Sequence, residues 1–153
     1  MRTQAHLTVN SDLQVLSRVQ GWFEGFCSRF NLDASGTDIS MYGLKLALVE
    51  GFTNAVRHAH YQLPPETEID LELTLQDNRV RVCIWDRGAP FDPETMDEPE
   101  PGTLRQGGYG WFLLRRLADR VAYQRCGDAG NCLSIEKELP ALAVDRLPER
   151  ACA

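Results

Sequence analysis

The sequence predicts a two-layer α/β (α+β) sandwich, with a mixed, mostly antiparallel sheet carrying its helices on one face. Three observations point there. The expected elements run strand, helix, helix, two strands, long loop, helix, two strands, which is not the strict alternation of a parallel doubly wound sheet. Two pairs of segments alternate around short turns, as antiparallel hairpins do. The first long helix repeats apolar residues every three or four positions and the second is apolar along most of its length, so both need a surface to cover.

His6 to Asn10 alternates polar and apolar residues and reads as a strand, with Ser11 or Asn10 as the cap of the following helix. That helix runs to about Phe30 and buries Leu13, Leu16, Val19, Phe23 and Phe26. Asn31 to Thr37 is a loop, and Thr37 or Asp38 caps a second helix that reaches roughly His60, before Leu63-Pro64-Pro65 stops it. Thr67–Gln76 and Arg79–Trp85 alternate on either side of Asp77-Asn78, which makes a hairpin. From Arg87 to Gly108 glycine, proline and acidic residues replace apolar periodicity, and a loop of that length in a compact domain is usually functional. Trp111 to Asp119 is a short helix, Val121–Cys126 and Asn131–Leu139 form a second hairpin, and a loose tail follows Pro140.

A chain of 153 residues suits one domain, expected over 1–140 with a tail at 141–153. It is 43% hydrophobic and 25% charged, as ordinary globular proteins are. There is no long apolar run for a membrane and no signal-peptide core between Met1 and Asn10, so a cytoplasmic location is expected. Five cysteines without a C-x-x-C pair read as buried free thiols in a reducing compartment rather than a disulfide or zinc framework. The net charge of −6 argues against direct nucleic-acid binding, although Arg105, Arg115, Arg116, Arg120 and Arg125 gather in one stretch.

Three segments carry chemistry. In the second helix Glu50 and Asn54 lie four residues apart, which puts a carboxylate and an amide oxygen on one face, a proton acceptor beside a magnesium ligand. At a strand end, Trp85-Asp86-Arg87-Gly88-Ala89-Pro90-Phe91-Asp92 places a carboxylate that can accept from an exocyclic amine beside a glycine that lets a flat ligand approach; Phe91 reads as an anchor of the loop. Gly107-Gly108-Tyr109-Gly110 directly precedes a helix whose free amides and dipole favour an anion. Taken alone, the three are also compatible with a solvated helix face, an ordinary Asp-x-Gly turn and a flexible loop.

In this order and spacing, from Leu44 to Val121, the segments resemble the N, G1 and G2 boxes of the Bergerat-type ATP-binding fold shared by gyrase and histidine kinases. Glu50-Gly51-Phe52-Thr53-Asn54-Ala55-Val56-Arg57-His58-Ala59 and Gly108-Tyr109-Gly110-Trp111-Phe112-Leu113-Leu114 resemble most the anti-sigma regulatory factor serine/threonine kinases. The resemblance implies Glu50 as general base, Asn54 on Mg2+, Asp86 on the adenine amine with Gly88 shaping that wall, and Gly108 and Gly110 folding over the phosphates of ATP. Arg105 is the cation of the acidic lid from Asp92 to Gln106, read equally as a solvated loop arginine or as a group that can reach a γ-phosphate. Pro90 stands where a full G1 box has a second glycine. His58 is expected as a buried packing histidine, and His60 likewise carries no catalytic expectation.

The implied activity is phosphorylation of a small anti-anti-sigma (STAS-like) protein, with a sigma factor as a further partner to sequester and a homodimer compatible with it. The alternative is a catalytically silent, nucleotide-gated protein-binding regulator. Retention of Glu50 favours the enzyme. A histidine kinase's catalytic half would need an upstream phospho-accepting histidine in a helix, whereas His6 reads as strand.

Overall fold

The computed structural model describes residues 2–32, 38–89 and 109–139. Over these the chain forms β1 (Arg2–Asn10), α1 (Leu16–Arg29), α2 (Asp38–Asn54), β2 (Glu68–Gln76), β3 (Arg79–Asp86), α3 (Tyr109–Leu117), β4 (Arg120–Arg125) and β5 (Asn131–Glu138). The strands lie in the order β1-β2-β3-β5-β4, and all four pairings are antiparallel. The sheet is therefore antiparallel throughout rather than mixed.

Alternation decides which face is covered. Ile69, Leu71, Leu73 and Leu75 of β2, Val80, Val82 and Ile84 of β3, and Leu133 and Ile135 of β5 are all buried on the helical side. On the other side, Arg79 reaches Glu136 at 3.5 Å and Glu138 at 3.2 Å. Such exposed pairs add little stability. Asp77 turns the β2–β3 hairpin with φ 55°, a left-handed conformation that a short polar side chain tolerates.

The second helix rides directly on the sheet at Gly51, where an added Cβ would meet Ile84 Cδ1 at 2.7 Å and Leu133 Cδ2 at 2.9 Å. Leu44, Leu48 and Phe52 on α2 are fully buried, and Lys45 ties it to Glu24 of α1. This contact fixes the height of Glu50 and Asn54 above β3 and β5.

Several boundaries differ from expectation. β1 starts at Arg2 rather than His6, because the weakly apolar Thr3 and Ala5 dilute an alternation that pairing with β2 sustains. The first cap is Asp12, which accepts from the Gln14 amide at 2.9 Å, while the Ser11 amide is taken by the Thr67 carbonyl at 2.8 Å. A 3-10 turn, Leu13–Val15, precedes α1. The α-helical part of the second helix ends at Asn54, and a π-helical turn, Ala55–Ala59, completes it. Against expectation, His58 is exposed on that turn, and His60, for which only a non-catalytic role was expected, is buried at 3% exposure. The third helix spans Tyr109–Leu117, two residues earlier than expected at each end.

Among the described residues no disulfide forms: Cys27, Cys83 and Cys132 are buried and Cys126 is half-buried, while Cys152 lies outside the described residues. Among the described residues no helix is long and apolar enough to cross a membrane.

Candidate functional site

Glu50 and Asn54, one turn apart on α2, face the first turn of α3, and Gly110 lies against both. A Cβ at Gly110 would stand 2.8 Å from Glu50 Oε1, 2.9 Å from Asn54 Nδ2 and 3.2 Å from Asn54 Oδ1. A hydrogen in place of a side chain is what lets α3 approach the pair. Buried Trp111 and Leu114 anchor the helix behind this contact. The first amides of α3 lack intrahelical acceptors, so its N-terminus is electropositive beside the carboxylate–amide pair.

Asp86 closes β3 and is 4% exposed. Its Oδ1 accepts from the Gly88 amide and from Asn131 Nδ2, both at 2.9 Å, and its Oδ2 accepts from the Tyr123 hydroxyl at 3.2 Å. Asn131 Nδ2 also donates to the Gly88 carbonyl at 2.9 Å. Burial, with the charge of Asp86 next, pushes the Tyr123 phenol above its ordinary pKa, so it remains a protonated donor.

Gly88 presses on the turn that ends the second helix: an added Cβ would lie 1.9 Å from the Ala59 carbonyl oxygen. Beside it His60 Nε2 accepts from the Arg87 amide at 2.8 Å. The imidazole proton is thereby left on Nδ1, which is buried and without a hydrogen-bond partner among the described residues. Gly130 has φ +92° and approaches the Asp86 carbonyl so closely that a Cβ would stand 2.2 Å from it.

The second helix thus joins two clusters, Glu50–Asn54–Gly110 on its face and Asp86–Gly88 at its end. Gly108, Arg105, Pro90, Phe91 and the acidic stretch from Asp92 to Gln106 lie outside the described residues. Sequence reading missed Tyr123, Asn131 and the clamp at His60. The signal for Asn131 is its register directly opposite Asp86, which exists only once β3 and β5 are paired.

The description "Histidine kinase-like ATPase domain" matches residues 9–137, most of the chain. The chain belongs to that family. Curated relatives of this ATPase domain include the serine-protein kinase RsbW of Staphylococcus epidermidis, 32% identical over 114 residues that cover 69% of this chain and 70% of the relative. RsbW of Staphylococcus aureus is 28% identical over 152 residues, covering 94% and 92%. RsbW of Oceanobacillus iheyensis is 37% identical over 90 residues, 54% of this chain and 56% of that protein, so there the match spans little more than half the relative. Within its family the ATPase domain thus groups with the anti-sigma-factor serine/threonine kinases. Its fold is also similar to the crystal structure of the RsbU and RsbW domains of a Mycobacterium tuberculosis protein. The TM-score is 0.62 at 16% identity, over 90% of this chain and 32% of the other.

Proposed function

We propose that this serine/threonine kinase transfers the γ-phosphoryl group of ATP to a hydroxyl of a small anti-anti-sigma (STAS-like) protein, and that a sigma factor is its second partner. The observation that carries the reading is the seating of Gly110 against Glu50 and Asn54. A carboxylate and an amide oxygen are hard donors suited to magnesium and proton chemistry, and the missing Cβ keeps their approach to the N-terminus of α3 open.

Glu50 takes the proton of the attacking hydroxyl, and Asn54 Oδ1 would hold Mg2+, which would supply neutralisation of phosphate charge. Asp86 accepts from the exocyclic amine of adenine, and Gly88 leaves the wall of that pocket flat. Gly108 and Gly110 offer backbone to the phosphates, with Arg105 reaching the γ-phosphate. The ATPase unit is assigned to residues 1–140, with 141–153 as a tail, in a cytoplasmic protein that does not contact nucleic acid or membrane directly.

Incubating the purified chain with magnesium and γ-labelled ATP and each small STAS-like protein encoded beside it tests the reading. Label should appear on a serine or threonine of one of them. A chain that binds ATP but labels none of them, and whose Glu50→Gln form behaves identically, is a nucleotide-gated regulator instead.

A further inference from the structure

We propose that Tyr123 and Asn131 are positioning residues that set the base selectivity of this kinase, by leaving Asp86 a single acceptor lone pair that fits an amine and repels a carbonyl. The inference rests on the assignment of Asp86 to the base.

A carboxylate oxygen offers two lone pairs. Those of Asp86 Oδ1 are both used, one by the Gly88 amide and one by Asn131 Nδ2. Among the described residues Oδ2 has one donor, the Tyr123 hydroxyl at 3.2 Å, which leaves one lone pair for a ligand. Asn131 commits its other amide proton to the Gly88 carbonyl at 2.9 Å, so Asp86, Gly88 and Asn131 close a ring of three hydrogen bonds. The carboxylate cannot turn without breaking bonds on both of its oxygens.

The charge of this buried carboxylate is balanced by neutral donors, and among the described residues it forms no salt bridge. With its proton held toward Asp86, Tyr123 does not offer that proton to a ligand. Asp86 therefore asks for a donor. A purine with an amine at this edge supplies one, whereas a carbonyl there sets lone pair against lone pair and leaves the buried acceptor unpaired. Sites built on this asymmetry discriminate strongly.

Asp86 and Asn131 are opposed in the β3–β5 register, while Tyr123 arrives from β4, whose register sets it opposite Leu133. Three strands thus converge on one carboxylate. Neither Tyr123 nor Asn131 belongs to the Glu50–Asn54–Gly110 cluster, so their removal should change which base is held rather than how phosphate is treated.

The test compares dissociation constants of magnesium ATP and magnesium ITP, which differ by amine against carbonyl at this edge, by calorimetry on the wild type, Tyr123→Phe, Asn131→Ala and Asp86→Asn. The wild type should prefer ATP. Tyr123→Phe keeps the ring in place and should narrow the ATP-to-ITP ratio by about tenfold, the scale of one hydrogen bond to a charged group, and Asn131→Ala should narrow it at least as far. Asp86→Asn, which offers a donor in place of an acceptor, should lose or reverse the preference. If Asp86→Asn alters the ratio while folded Tyr123→Phe leaves it at the wild-type value, the role of Tyr123 is overturned and the adenine assignment survives. The same result with folded Asn131→Ala removes Asn131. An unchanged ratio in Asp86→Asn removes the adenine assignment itself. Should Asn131→Ala not fold, Asn131→Ser, which keeps one donor, takes its place and should show a smaller narrowing; an unchanged ratio there counts equally against Asn131.

Discussion

Gly110 stands so close to Glu50 that a β-carbon there would lie 2.8 Å from Glu50 Oε1, with the Asn54 amide nearly as near. The neighbours are the tips of side chains, which can yield while the backbone stays. Gly110→Ala should therefore fold normally yet displace the carboxylate and amide together. Misplacement of catalytic groups by a fraction of an ångström to an ångström costs up to about 10²-fold in rate. Labelled-ATP transfer should fall by that order with an unchanged thermal midpoint, and wild-type turnover would refute the contact's importance.

Glu50→Gln keeps the shape of the side chain and removes the base. Binding of ATP should persist, while transfer slows by roughly 10²–10⁴-fold. Asn54→Ala should instead abolish the magnesium dependence of ATP affinity. Calorimetry with and without the metal, beside a transfer assay, separates the two phenotypes; identical behaviour in both would show that the roles are misassigned.

Gly88 meets backbone rather than side-chain tips, since a Cβ would fall 1.9 Å from the Ala59 carbonyl oxygen. Overpacking costs about 1–3 kcal/mol, and with a carbonyl that cannot rotate away Gly88→Ala should sit at the upper end. In contrast, nothing lies within 4 Å of a Cβ at Gly21 or Gly25 on α1. Alanine at those two positions should stabilise by about 0.4–1 kcal/mol each. Urea denaturation that ranks the three substitutions otherwise contradicts the packing described.

Burial holds the His60 pKa below its usual 6.5, opposed by the charge of Asp86 and assisted by that of Arg87. A histidine depressed in the folded state contributes stability that is complete above 6.5 and is lost as pH falls through the lower folded value. Protonation also fills Nε2 and breaks its bond from the Arg87 amide. Unfolding free energy should therefore drop as pH falls below 6.5, and His60→Gln should flatten that slope. Parallel slopes in the two proteins would assign the acid sensitivity elsewhere.

Much of the fold was legible because alternation and turn residues are local signals. The β2–β3 hairpin is written in Ile69, Leu71, Leu73 and Leu75 and in Asp77, and the structure keeps each on its expected side. Glu50, Asn54 and Gly110 were legible as a set by resemblance to known boxes, and geometry brings these three together. What stayed hidden depends on register. Asn131 reads as a turn-side polar residue until β5 sets it opposite Asp86, and Tyr123 as an ordinary strand aromatic until β4 joins. The exposure of His58 and the burial of His60 were invisible because a π-helical turn rotates the helix's end in a way that α-helical periodicity does not encode.

The pairing of β1 with β2 joins Arg2 to Gln76 and Asn10 to Glu68, across both long helices, whereas β2 and β3 close around a two-residue turn. Loop closure over such a span is entropically expensive and returns nothing until the contacts form, so local pairs are made first and distant ones late. On that ordering the hairpin bearing Asp86 is an early event and the docking of β1 a late one. Newly made chains should pass through a form whose sheet lacks its outer strand and still exposes the backbone edge of β2, a surface able to recruit the N-terminal segment of a neighbouring copy.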